Sequence, residues 1–224
     1  MERPAEVARK LEARDEALAA AIADMHALEQ EVELLRSRAA EIEALRERLP
    51  EERRDLEERT AAAREELARR REEERGAEAE LQRAEEKSDR DRIAEARRAV
   101  VRTKDAASTA TKRVARLEAL ADALERDAYE AERDAPKLEA RGAEASARLT
   151  ELSRVNAPAA PTRGVAAVVE WGARARAALF VARNSLESER AAVVREANEL
   201  GAAVLGEPLF SSSVAGVRRR LEDA

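Results

Sequence analysis

Apolar residues recur along most of this chain at alternating steps of three and four. Between residues 7 and 49, Leu11, Leu18, Met25, Val32 and Ala39 form one series. Val7, Ala21, Leu28, Leu35, Ile42 and Leu49 form the partner series, broken only by Arg14. This is the a/d spacing of a coiled coil, a narrow apolar stripe that has to be buried against another helix. From residue 51 to 92 the stripe thins. Leu56, Ala63, Leu67, Ala77, Leu81 and Ala84 hold the register, while Arg53, Thr60, Arg70 and Glu74 fill other seam positions. A new register starts at Ile93. One series runs Ile93, Val100, Ala107, Val114, Ala121, Ala128, Ala135, Gly142 and Leu149, the other from Ala96 to Leu152. The two registers do not join, so a skip lies near residues 88–93.

Breakers divide this pattern into elements. Pro4 suits the first turn of a helix running to about Leu49. Pro50 then predicts a kink between roughly collinear helices, with a hairpin turn as the alternative, because no Gly, Asn or Asp stands beside it to make a tight reversal. Gly76 and the polar run 85–92 are weak points, and Pro136 and Gly142 should bend the second long helix. The segment 156–164, Asn-Ala-Pro-Ala-Ala-Pro-Thr-Arg-Gly, is the clearest loop. Beyond it a helix over 165–205 repeats every seven residues, and Val169, Phe180, Val194 and Val204 widen its apolar face. A short loop after a long helix predicts that 165–205 fold back antiparallel along 110–155. Gly206-Glu-Pro208 ends the helix, and Ser211–Ser213 offer an N-cap to a last helix over 214–222. The predicted fold class is all-α, an elongated coiled coil with a C-terminal antiparallel helical hairpin. The predicted segments are 1–92 with its kink at Pro50, 93–205 as the hairpin, and 206–224 as a short loop and helix.

Composition sharpens this reading. Of the 224 residues, 44% count as hydrophobic, but alanine supplies more than half of them and aromatics only 2%. Alanine offers little area to bury, so a thick globular core is not expected. Charged residues at 40%, with few Gly and Pro, match long helices rather than disorder. The net charge of −6 gives the whole chain no general attraction to nucleic acid or anionic lipid. The absence of cysteine removes thiolate chemistry and fits a reducing, cytoplasmic location. Met1 to Met25 lacks an apolar leader core, and no run is long and apolar enough to span a membrane.

Candidate chemistry is sparse. His26 is the only histidine, sits one residue past a seam position and should face solvent. A multi-histidine metal site is excluded by count. Gly201 to Gly206 has the glycine spacing of a phosphate loop, but Glu207 and Pro208 follow where Lys and Ser or Thr belong. A helix ending at glycine is the better reading. No catalytic residue, cofactor, metal ligand or small-molecule substrate is assigned. Residues 87–116 hold ten Lys or Arg against four Asp or Glu, +6 inside an acidic chain. Arg97, Arg98, Arg102, Lys104, Lys112 and Arg113 are the candidate contacts to nucleic acid or to an acidic partner helix. No aromatic is interleaved, so base stacking is not supported. A solvated face or an acidic helix is favoured over DNA. Trp171, Phe180 and Phe210 gather in the last third and read as core packing first, as partner anchors second.

The heptads at 7–49 and 93–152, rich in Ala, Glu, Arg and Leu and broken by short loops, resemble the coiled-coil arms of SMC and SbcC-type ATPases. The phosphate loop, the ATPase signature and the Cys-x-x-Cys zinc hook of that family are absent from this sequence. The resemblance therefore implies a detached arm or an accessory protein, and no catalytic residue is carried over. The expected function is a non-enzymatic structural or scaffolding coiled coil that mediates protein–protein association. The alternative is a DNA-associated, SMC-like arm or accessory factor of chromosome maintenance. The 7–49 seam has no obvious mate in its own chain, so self-association or another helical protein is expected to cover it.

Overall fold

A computed structural model describes residues 3–152 and 154–223. The fold is all-α, with four helices among the described residues: α1 (Pro4–Glu86), α2 (Arg90–Glu151), α3 (Val165–Leu205) and α4 (Val214–Glu222). The second register holds at every position read from the sequence, from Ile93 to Leu152, each buried or half-buried. α3 and α4 take the bounds their breakers indicate.

Two findings depart from the sequence reading of α1. The helix does not stop at Leu49; it continues through Pro50 to Glu86. Proline removes one N–H and crowds the carbonyl four residues back, at a cost of about 3 kcal/mol. Here Pro50 is exposed, so water can reach the freed carbonyl, and strong helix formers on both sides carry the helix onward. The chain reverses instead at residues 87–89. Asp89 N–H donates to Ala84 O (3.4 Å) and Ser88 N–H to Glu85 O (3.0 Å), the paired bonds of a Schellman motif. Ser88 occupies the left-handed position, φ 54°, where glycine is usual. Asp89 then caps α2, its Oδ1 accepting from Arg92 N–H at 3.3 Å.

The chain divides into two compact units. One is Glu43–Asp134, built from the end of α1, the turn and the start of α2. Its two helices run antiparallel, because ion pairs join rising numbers on α1 to falling numbers on α2: Arg46–Glu132, Arg53–Glu125, Arg64–Glu118, Glu78–Lys104 and Glu85–Arg97. Ala63, Val114 and Leu117 centre its core, with Leu56 and Leu67 against them.

The other unit combines Met1–Ile42 with Ala135–Ala224. Here the expected fold-back of 165–205 onto 110–155 is replaced by a different arrangement. A Cβ on Gly142 would lie 3.5 Å from both Pro161 and Val168, and Arg154, just past the end of α2, pairs with Glu189. Both numbers climb together, so α3 runs parallel to α2, and residues 154–164 carry the chain back before α3 starts. α3 is antiparallel to α1: Glu33–Arg176, Glu29–Arg183 and Asp15–Arg190 pair along the two helices. α4 adds Arg218–Glu12.

This packing also corrects the expectation that the N-terminal seam needs an outside mate. Leu11, Leu18, Met25, Leu28, Val32, Leu35, Ala39 and Ile42 are all buried within the single chain. The seam shifts only before Met25, where Ala8 is buried beside a half-buried Val7 and Asp15 is buried beside the exposed Arg14. The reason is a change of neighbour. α3 pairs with α1 along the whole stretch, but Arg148, near the end of α2, reaches Glu31, whereas nearer the N-terminus α4 joins α3 through Arg218–Glu12.

Candidate functional site

The six basic candidates on α2 separate into two groups. Arg97 and Lys104 sit beside the seam and turn toward α1, where Arg97 bonds Glu85 at 3.2 Å and Lys104 meets Glu78 at 2.9 Å. The side-chain hydrogen bond to Glu78, then that carboxylate's charge, raises the Lys104 pKa, with Glu74 adding to the field. The acidic helix that this face is expected to meet is therefore α1 of the same chain. Arg98, Arg102, Lys112 and Arg113 are exposed and make no ion pair among the described residues. Beside the turn, Arg102 joins Arg83, Lys87 and Arg92 in lining an open groove of about 460 Å³, where Glu80 and Glu95 are the acids.

Farther from the turn the interface charges reverse. α1 presents arginines at 46, 53 and 64, and α2 presents Glu132, Glu125 and Glu118. The Arg46 and Arg53 pairs are two-pronged, with N–O distances of 2.6–3.1 Å. The hydrogen bonds hold the Glu125 and Glu132 carboxyls below the ordinary carboxylate range. In the other unit Arg14 and then Arg154 lower Glu189, and the bond to Asp15 raises Arg190.

The aromatic candidates do not act together. Trp171 is 0% exposed in the packing of α3, so it is core and not a partner anchor. Its indole Nε1 has no acceptor among the described residues. Phe180 is 49% exposed and Arg183 lies over its ring at 5.6 Å from the centroid, a cation–π contact. Phe210, 92% exposed, stands alone on the α3–α4 connection.

The remaining motifs have structural roles. His26 is exposed, 3.3 Å from the Gln30 amide and 3.5 Å from Arg183. Gly201 is buried in α3, where a Cβ would come within 2.5 Å of Leu209 and 3.0 Å of Val217. Gly206 ends α3 at φ 72°, its N–H donating to Ala202 O at 2.9 Å. The phosphate-loop spacing thus reflects one packing glycine and one capping glycine. Among the described residues no carboxylate or histidine cluster could hold a metal ion, and no helix is long and apolar enough to cross a membrane.

Sequence reasoning missed the turn residue Ser88 and the buried Asp15 with its exposed partner Arg190. The first had a signal in the register skip at 88–93. The second had only the anomaly at Arg14. No family model matches the sequence, and no curated protein or solved structure matches it either.

Proposed function

We propose that this protein is a non-enzymatic structural coiled coil that mediates protein–protein association. In this reading the α1–α2 pair of residues 43–134 is an elongated antiparallel coiled coil, each arm roughly 65 Å long at about 1.5 Å per residue. The supporting observation is the ordered reversal of interface charge along that pair. Flanking charges of this kind set orientation and register in coiled coils. They also oppose slipped or parallel partners, which would place like charges together.

Association with other proteins then rests on exposed anchors rather than on the buried N-terminal seam. Phe180, backed by Arg183, and Phe210 carry that role. The test is affinity isolation from the source cells, followed by binding of the purified partner to the parent chain and to Phe180→Asp and Phe210→Asp. At least one substitution should weaken binding tenfold or more while helicity stays at the parent level. A partner held equally by all three chains would overturn the anchors. A chain that holds no partner at micromolar concentration would overturn the scaffolding reading. The second reading, a DNA-associated SMC-like arm, draws support from the four cations on α2 that make no ion pair among the described residues.

A further inference from the structure

We propose that the outward face of α2 binds the phosphate backbone of duplex DNA without reading its sequence. This inference does not depend on the protein-scaffold reading. Arg98, Arg102, Lys112 and Arg113 point away from the acids that neutralise Arg97 and Lys104, so their charge is available to an outside anion. From Arg98 to Lys112 the face covers roughly 21 Å at about 1.5 Å per residue, room for several phosphates. It ends at the groove beside the turn, where Arg83 and Lys87, also without ion pairs among the described residues, approach Arg102.

The chemistry of this face favours phosphate over an acidic protein. A protein interface needs a desolvated apolar centre, and between residues 98 and 113 the only large apolar side chain that stands out is Val101. Phosphate contacts need no such centre, because release of counterions drives them. Arginine, which supplies three of the four cations, presents a fork that fits phosphate oxygens. The absence of an aromatic on this stretch removes the stacking platform a single strand would use, and leaves a backbone contact with a duplex.

Fluorescence anisotropy of a labelled 30-base-pair duplex, titrated with the full chain, tests the proposal. With about four phosphates neutralised, affinity should fall about 10²-fold between 50 and 200 mM salt. The combined variant Arg98→Gln, Arg102→Gln, Lys112→Gln and Arg113→Gln should lose at least tenfold at 50 mM salt and show a shallower salt slope. A control with the same charge change on the other unit, Arg174→Gln, Arg195→Gln, Arg219→Gln and Arg220→Gln, should bind within twofold of the parent. Circular dichroism confirms that each variant is as helical as the parent. Absence of binding at 50 mM salt would overturn the proposal. So would equal losses in the two variants, or competition by poly-glutamate as strong as that by duplex DNA.

Discussion

Ser88 holds a backbone conformation that suits glycine, and this makes the turn the first place where one substitution should help. A non-glycine residue in the left-handed region costs about 1–2 kcal/mol. Ser88→Gly is therefore expected to raise stability by about 0.5–1 kcal/mol, offset in part by the flexibility glycine adds to the unfolded chain. Urea unfolding with an unchanged slope measures this. Asp15 works in the opposite sense. It is 8% exposed and accepts from Arg190 Nε at 2.7 Å. Asp15→Ala removes the buried carboxylate that holds the exposed Arg190 guanidinium and should cost about 1 kcal/mol, whereas Arg14→Ala, one residue away on the exposed side, should cost less than that. Gly201→Ala pushes a methyl into Leu209 and Val217, with an expected loss of about 1–3 kcal/mol. These details are only partly legible in the sequence. The cap at Ser213, which accepts from Gly216 N–H at 3.3 Å, and the helix it starts can be read from the run of serines. The reversal at Ser88 is marked only by the register skip, because Lys-Ser-Asp lacks the glycine or proline that usually marks a tight turn.

At the scale of elements, the α1–α2 pairing is specified twice, by the seam and by charge. The seam alone is weak in the middle of α1, where alanine and arginine occupy positions that leucine would hold elsewhere. Charge supplies the register there. Arg53→Glu should lower the melting temperature by setting two carboxylates against each other, and adding Glu125→Arg should recover most of the loss, since the swapped pair restores attraction. A double-mutant cycle by thermal unfolding measures the coupling. The same pairs give a pH signature. Glu125, Glu132 and Glu189 are depressed in the folded chain. Their contribution is fully present above the unfolded carboxylate value of about 4.3 and is lost as pH falls through the lower folded value. Stability should stay level from pH 7 to about 5 on their account and drop below about pH 4. Lys104 has the reverse sign. Its contribution holds below about pH 10.4 and fades as pH rises through its raised folded value. Seam positions are legible because they depend on periodicity, whereas the length of α1 is not, since Pro50 marks a break that the helix runs through. The direction of α3 is not, since a connection of a dozen residues can either reverse the chain at once or carry it back to start a parallel helix.

For the whole molecule, periodicity reveals that an apolar ridge must be covered but not by what. The same stripe serves a homodimer, a foreign helix or the chain's own later helices, and only the fold decides. Here α2, α3 and α4 cover residues 8–42, with Val32 and Ala39 at 0% exposure. Trp171 illustrates the same gap. As a sequence feature it matches Phe180 and Phe210, yet it alone lies in the core. As the single tryptophan it should show blue-shifted emission and resist acrylamide quenching in the folded chain, with both properties lost on unfolding.

The central claim is that the seam closes within one chain. The sequence has no cysteine, so a pair introduced at Glu33→Cys and Arg176→Cys, which face each other across the N-terminal seam, is unique in the molecule. Treated with a short bismaleimide, this variant should form a cross-link that leaves the mass of one chain and whose yield does not change with protein concentration. Linked dimers that increase with concentration, or no link between these two positions, would contradict it.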